Sequence, residues 1–80
     1  MTKETYKTKD LWEAGALLAE NIPLVKIEKK GNTCYFIFGN LAVAEDKVQK
    51  YYFGNLLIDA FKYQEAVNRL KKQIYKVINN

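Results

Sequence analysis

The stretch Cys34-Tyr35-Phe36-Ile37-Phe38 is the only one in which strand-forming and aromatic residues hold five consecutive positions. This composition predicts the central strand of a sheet. The preceding segment, Val25-Lys26-Ile27-Glu28, alternates apolar and charged residues, as a half-buried strand does. Gly31-Asn32 lies between the two segments and suits a two-residue turn in which the glycine supplies the positive φ. We therefore expect a β-hairpin.

The turn sets the register of the hairpin and so decides which side chains share a face. With Gly31-Asn32 at the tip, one face is expected to pair Lys30 with Thr33, Glu28 with Tyr35, and Lys26 with Ile37. The other face is expected to pair Ile27 with Phe36, and Val25 with Phe38. This second face is apolar and predicts the core side, while the first face is mixed.

A helix is expected before the hairpin. Asp10, with Glu13 three residues later, has the spacing of a capping box. The apolar residues that follow recur at three- and four-residue steps, which is typical of an amphipathic helix. Asn21 suits a left-handed stop, and Pro23 prevents the helix from continuing into the hairpin.

Two further helices are expected after the hairpin. Asn40 can cap a helix over residues 41–52, which Gly54-Asn55 would stop. Asp59 can cap a last helix over residues 60–78, in which apolar residues advance by threes and fours along one side.

Two short segments are less regular. Residues 1–7 have no clear period and are expected to form a flexible tail or a short strand with Tyr6 tucked in. Residues 56–58 are apolar, which predicts a brief third strand or an extended connector. The sequence thus predicts one small α+β domain over residues 1–80, ordered helix, hairpin, helix, short strand and long helix. Its helices would pack on one face of a two- or three-stranded sheet.

Composition limits the class of protein. Hydrophobic residues make up 49% of the 80 residues, which is enough for a folded core. No apolar run approaches the ~20 residues of a membrane span, and no signal-peptide pattern is present, so we expect a soluble cytoplasmic protein with no membrane partner. Cys34 is the only cysteine, so an internal disulfide is impossible, and this suits a reducing compartment.

The net charge of +4 belongs entirely to the last segment. Residues 1–61 contain eight lysines and eight acids, which cancel. From residue 62 onward there is one acid, Glu65, against five cations: Lys62, Arg69, Lys71, Lys72 and Lys76. A basic helix of this kind predicts contact with the phosphates of DNA or RNA, and a merely solvated helix face carries the same pattern.

The residue types that catalysis and metal binding need are missing. The chain has no His and no Ser, so neither a Ser-His nor a Cys-His pair can form, and the single Cys34 cannot build a zinc site. Glu45 and Asp46 are neighbours on a predicted helix and diverge by about 100°, so they cannot flank one substrate. We therefore expect no enzyme activity, no metal and no cofactor.

The mixed face of the hairpin is a second candidate for nucleic-acid binding. The expected register places Tyr35 near Lys26 and Lys30, and single-strand binders use aromatic residues among lysines on an open sheet. Another helix or a second copy of the chain could equally cover this face.

Aromatic residues suggest a different function. Tyr51, Tyr52 and Phe53 are consecutive at a helix end and cannot all face one core. Such a cluster usually closes the bottom of the core, with its hydroxyls reaching water. Together with Trp12, it could instead be the contact surface of a protein-interaction module, a homodimer or a phage-type inhibitor.

The order of several segments carries a family resemblance: Thr8-Lys9-Asp10-Leu11, Leu24-Val25-Lys26-Ile27, Cys34-Tyr35-Phe36-Ile37-Phe38, Tyr51-Tyr52-Phe53 and Asp59-Ala60. From about Tyr6 to Lys76, the chain resembles a family of small bacterial and phage domains of unknown function. The resemblance implies a stand-alone microbial or mobile-element protein. It assigns no activity and therefore no functional residue.

The function that these patterns favour is a non-enzymatic nucleic-acid-binding domain. It would neutralise phosphates with the basic last helix and use Tyr35 with the hairpin lysines for stacking. The alternative is a protein-interaction module that acts through exposed aromatic residues.

Overall fold

Three helices and a three-stranded antiparallel sheet form the chain, as the sequence predicts for an α+β domain. The computed structural model describes residues 4–78. The elements in chain order are β1 (Tyr6–Thr8), α1 (Leu11–Ala19), β2 (Leu24–Lys30), β3 (Thr33–Phe38), α2 (Leu41–Tyr52) and α3 (Ala60–Ile78).

Strand β3 is the centre of the sheet, whose order is β1-β3-β2. This confirms the prediction that Cys34–Phe38 forms the central strand. In the hairpin, four of the five predicted pairs are confirmed: Lys30 with Thr33, Glu28 with Tyr35, Lys26 with Ile37, and Ile27 with Phe36. Gly31 supplies the positive φ of the turn, at +61°.

The fifth predicted pair, Val25 with Phe38, is wrong. A β-bulge between Leu24 and Lys26 leaves Val25 without a partner and places Leu24 opposite Phe38. Val25 is exposed as a result, and Leu24 packs against the core instead. A bulge adds one residue to one strand and reverses the faces of the residues beyond it, which a strict alternation pattern cannot anticipate.

The third strand comes from the beginning of the chain. Tyr6–Thr8 pairs antiparallel with β3, so the short-strand prediction for this region is confirmed, while Met1–Lys3 lie outside the described residues. Residues 56–58 form no strand, and the prediction of one there is wrong. Both edges of the central strand are already paired, and Leu57 is 92% exposed, so these residues form the extended connector that was the alternative.

The core lies between the helices and one face of the sheet. Phe36 and Phe38 point to that face and join Leu17 of α1 and Leu70 of α3, all fully buried. Helix α1 packs between α2 and α3, while α3 also contacts β2 and α2 contacts β1. The helices therefore cover the predicted apolar face of the hairpin.

Capping residues define the ends of the helices, with one correction. Asp10 accepts hydrogen bonds from the backbone N–H groups of Trp12 and Glu13 and so starts α1, and Asn21, with φ of 65°, follows its end. Asn40 precedes α2 as predicted but makes no side-chain cap, because it is left-handed (φ 60°) and not extended, as a capping side chain requires.

Gly15 lets α1 approach α3 more closely than any other residue would. A Cβ atom at this position would lie 2.5 Å from Cγ2 of Val67 and 3.3 Å from the Tyr63 ring. Val67 is buried and β-branched, so its side chain has little freedom to move away.

We predict that Gly15→Ala destabilises the protein by about 1–3 kcal/mol, the usual result of overpacking a core. An exposed helical site would instead gain up to ~1 kcal/mol from the same change. Urea unfolding of Gly15→Ala, Val67→Ala and the double variant forms a double-mutant cycle. We expect the double variant to be more stable than the sum of the single effects implies, because alanine at position 67 removes the clashing Cγ2 atom. A Gly15→Ala protein as stable as the wild type would contradict the close approach.

Candidate nucleic-acid interface

Helix α3 carries the excess positive charge on the side turned away from the core. Asp59 caps it by accepting hydrogen bonds from the backbone N–H groups of Phe61 and Lys62, at 2.8 and 3.1 Å. Burial of Ala66, Val67 and Leu70 against the rest of the domain sets the rotation of the helix. Four cations on its outer flank, which we call the basic stripe, are exposed: Lys62, Arg69, Lys72 and Lys76. From Lys62 to Lys76 the stripe extends roughly 21 Å.

Within the described residues, the cations of α3 form no ion pair with an acid, a property that they share with Lys9 and Lys29 but not with five other lysines. Among residues 4–78 there are five ion pairs, with N–O distances from 3.1 to 3.9 Å. All five use lysines outside α3: Lys7, Lys26, Lys30, Lys47 and Lys50. Glu65 lies on the same flank of α3 as the stripe but forms no ion pair within this part of the chain. With Glu65 beside it, the stripe presents a net charge of +3 to solvent (4 − 1 = 3).

Lys71, which the sequence predicts at the edge of this stripe and among its phosphate contacts, lies outside it. At about 100° per residue, Lys71 lies about 160° around the helix from Arg69. The neighbouring residues support this separation. Lys62 and Arg69 line a cleft with Leu18 and Ala19 of α1, whereas Lys71 lines two different clefts. Nζ of Lys71 lies 5.9 Å from the centroid of the Trp12 ring. The angle between Lys71 and Arg69 around the helix follows from the sequence, but the two residues are so close along the chain that they look like members of one group.

The hairpin face is less available than the sequence suggested. Glu28 forms ion pairs with Lys7, Lys26 and Lys30, at 3.8, 3.3 and 3.9 Å. The hydrogen bond from Lys26 and the charges of all three lysines lower the pKa of Glu28, although desolvation opposes this shift. The negative charge of Glu28 thus partly neutralises the positive charge of the three lysines on this face.

Tyr35 is also partly covered. Its ring is half-buried, and Nζ of Lys7, on the neighbouring strand, lies 5.1 Å from the ring centroid. Neither of the two predicted covers, another helix or a second copy, is needed to explain its burial. The predicted grouping of Tyr35 with Lys26 and Lys30 exists, but it is tied together by Glu28 and Lys7 and is not an open stacking surface.

Buried Glu13 organises a polar cluster that the sequence did not predict as a unit. Its carboxylate accepts hydrogen bonds from the hydroxyls of Tyr6, Thr8 and Tyr52, the last two at 3.1 and 2.9 Å. The predicted capping box is therefore only half formed, since the backbone N–H of Asp10 donates to Thr8 Oγ1 and not to Glu13. The cluster joins β1, α1 and α2. Its signal in the sequence is weak because Tyr52 is 39 residues from Glu13.

Of the four aromatic residues proposed for partner binding, Tyr51 is half-buried, and the other three, including Tyr52 at 60%, are exposed. Tyr52 uses its hydroxyl on Glu13 and packs edge-to-face on half-buried Tyr51, with ring centroids 5.2 Å apart. Phe53 is 77% exposed, and Trp12 is 51% exposed beside α3. The hydroxyl of Tyr52 therefore donates to buried Glu13 instead of reaching water as the core-closing alternative expected, and the contact-surface prediction stays a prediction.

Tyr63 connects this region to α1. Its hydroxyl donates to the backbone carbonyl oxygen of Trp12 at 3.1 Å. Burial, together with the neighbouring Tyr51 hydroxyl, raises the pKa of Tyr63 to about 12. Trp12 therefore has a fixed backbone position while its indole remains half open to solvent.

A cleft of about 340 Å³ lies between Trp12 and the side of α3 that carries Lys71. Its polar lining consists of Gln64, Asn68 and Lys71, and Tyr63 and Val67 form its floor. Sequence reasoning missed this site because Trp12 and Asn68 belong to different helices.

Residues 4–78 contain no group of three or more Cys, Asp or Glu side chains that could hold a metal ion. Within the same range, no helix is both long enough and apolar enough to cross a membrane. Cys34 is a free, half-buried thiol.

Comparison with protein-family models, curated proteins and solved structures gives no match to this chain. The resemblance to small bacterial and phage domains of unknown function therefore stays a prediction.

The Glu13 cluster predicts a loss of stability at alkaline pH. The hydrogen bond to Glu13, with desolvation, raises the pKa of Tyr52 to about 12, and burial with the same carboxylate raises the pKa of Tyr6. Because an unfolded tyrosine titrates near 10, the protonated hydroxyls stabilise the fold below about pH 10. This stabilisation is lost as the pH rises from about 10 through 12.

Urea unfolding across this pH range checks the prediction. We expect Tyr52→Phe to be less stable at pH 7, by about 0.5–1.5 kcal/mol for one lost hydrogen bond. Its stability should also decline less steeply above pH 10 than that of the wild type. Tyr75→Phe, which changes an exposed tyrosine outside the cluster, is the control and should keep the wild-type slope. Parallel pH curves for Tyr52→Phe and the wild type would contradict the role of Glu13.

Proposed function

We propose that this chain is a non-enzymatic domain that binds nucleic acid through backbone phosphates, using the basic stripe of α3. The single observation behind this proposal is the contrast between two sets of cations. The lysines paired with acids lie elsewhere, while the stripe residues form no ion pair within residues 4–78, although Glu65 lies one helical turn from both Lys62 and Arg69. Unpaired Lys and Arg side chains in a row are the usual means of neutralising a phosphate backbone.

The two kinds of cation in the stripe have different roles in this proposal. Arg69 lies midway between Lys62 and Lys76, one heptad from each. Its planar guanidinium can grip one phosphate through two hydrogen bonds. The lysines supply charge without fixed geometry, so we propose little sequence preference. The cytoplasmic location and the microbial or mobile-element origin suggested by the sequence belong to the same proposal.

The salt dependence of binding tests the proposal. Four neutralised phosphates on a duplex give a log–log slope near −3.6, which is a loss of roughly 150-fold in affinity between 50 and 200 mM salt. We expect the variant Lys62→Gln/Arg69→Gln/Lys76→Gln to lower the slope by about 2.7, because three phosphate contacts disappear. Fluorescence anisotropy with a labelled duplex measures both quantities.

The chain offers a control of equal charge. Lys26→Gln/Lys30→Gln/Lys47→Gln also removes three charges, so either variant changes the net charge from +4 to +1 (4 − 3 = 1). The control lysines are paired with Glu28 or Glu20. We expect the control to keep most of the wild-type slope. Equal losses in the two variants would show that only net charge matters, and binding that ignores salt would remove the proposal.

A second candidate function is contact with another protein chain, and exposed apolar residues favour it. Phe53 and Leu57 on the connection from α2 to α3 are 77% and 92% exposed, and Phe61 at the start of α3 is 68% exposed. Large apolar side chains this close in sequence are unusual on the surface of a monomer.

Sedimentation velocity over a wide concentration range tests this second function for self-association. We expect Phe53→Ser/Leu57→Ser to reduce any dimer fraction, because it removes the apolar surface without touching the basic stripe. Val43→Ser, at an exposed apolar site on α2, is the control. A wild-type protein that stays monomeric at every concentration would count against self-association.

A further inference from the structure

We propose that the cleft between Trp12 and α3 receives an unpaired nucleobase, so that the domain selects single-stranded over duplex nucleic acid. This inference rests on the proposed function and names its ligand class more narrowly. It differs from the stacking site expected from the sequence, which was Tyr35 on the hairpin.

The indole of Trp12 supplies the stacking surface. It is 51% exposed at the mouth of the cleft, while its backbone is held by the hydrogen bond from Tyr63. Stacking of a base on an aromatic side chain contributes about 1–3 kcal/mol and does not depend on which base is present. At 5.9 Å, Lys71 lies at the outer limit of a cation–π contact with this ring, so a base can take its place.

Two amides face the edge of a base that enters the cleft. Gln64 and Asn68 are exposed, line the cleft and lie one helical turn apart on α3. Each amide offers both a donor and an acceptor. An unpaired base presents its Watson–Crick edge to such groups, whereas a paired base has already used it.

The positions of the cleft and the basic stripe explain the preference for a flexible strand. Asn68 of the cleft lies one helical turn from Lys72 of the stripe, whereas Lys71 lies about 160° around the helix from Arg69. A ligand that contacts Lys71 and the indole as well as Arg69 must therefore follow the curved surface of α3. A single strand can do so. A duplex has a persistence length of about 150 base pairs and keeps its bases stacked inside, so it can contact the stripe alone. Lys71, which is separated from the stripe, then neutralises a phosphate next to the bound base.

Trp12 is the only tryptophan, so its fluorescence reports directly on the cleft. The probes are an unlabelled thymidine oligonucleotide for fluorescence quenching, and labelled versions of the same strand and its duplex for anisotropy. We expect the single strand to bind more tightly than the duplex and to quench Trp12, and we expect the duplex to bind without quenching.

Variants separate stacking from charge. Trp12→Leu should weaken single-strand binding by roughly 10- to 100-fold, as expected for one lost stacking contact, and leave duplex binding unchanged. Its salt slope should stay at the wild-type value, because no phosphate contact is lost, while Lys71→Gln should lower the single-strand slope by about 0.7. Tyr35→Leu, at the half-buried aromatic of the hairpin, is the matched control and should bind as the wild type does.

The outcomes distinguish this inference from the proposed function. If single strand and duplex bind equally, with no quenching, the cleft proposal is overturned and the phosphate-binding stripe remains. A loss of single-strand affinity in Tyr35→Leu but not in Trp12→Leu would also overturn the cleft proposal. It would show that bases stack on Tyr35 of the hairpin, as the sequence predicts. A shift of Trp12 emission with protein concentration alone would mean that a second copy fills the cleft. If neither nucleic acid binds, both proposals fail.

Discussion

The close packing of α1 on α3 is the contact on which the rest of the structure depends. It is possible because Gly15 has no side chain, so Val67 can occupy the space where a Cβ atom would lie. Once this contact forms, the rotation of α3 about its own axis is set, with Leu70 against Phe36 and Phe38 of the sheet. Every other residue of α3 is then assigned to a flank, including all five of its cations.

Two chemically different flanks result from this single rotation. One presents Lys62, Arg69, Lys72 and Lys76 to solvent, with Glu65 as the acid among them. The other flank turns Gln64, Asn68 and Lys71 toward Trp12 of α1 and forms an aromatic and amide-lined cleft. In the proposed function, a duplex contacts the first flank, whereas a flexible strand contacts both. The division of α3 into two flanks, more than its total charge, is what gives the proposed ligand preference its physical basis.

The remaining charged groups serve the fold. Glu28 gathers three lysines on the outer face of the sheet, and Glu20 of the α1 end pairs with Lys47 of α2 at 3.1 Å. Glu13 places its carboxyl group in the interior, where hydroxyl groups from β1 and α2 donate hydrogen bonds to it. An ionised or polar group is retained in a core only when hydrogen bonds replace those it loses to water, and three hydroxyls meet that requirement here.

The sequence by itself determined the features that depend on neighbouring residues. Asp10 and Asp59 start helices because their side chains reach backbone N–H groups two and three residues ahead, and Gly31 turns the hairpin because it tolerates a positive φ. The position of the charge excess on the last helix was equally evident. The helical angle that separates Lys71 from Arg69 was also present in the sequence, though spacing along the chain obscured it.

Only the tertiary structure decided how distant segments meet. The bulge at Val25, the pairing of Tyr6–Thr8 with β3, the three hydroxyls on Glu13 and the cleft beside Trp12 all join residues from different elements. Local patterns describe the preferences of a backbone over a few residues. Which side chains face one another across the core depends on how all the elements pack together, and no single segment of the sequence contains that information.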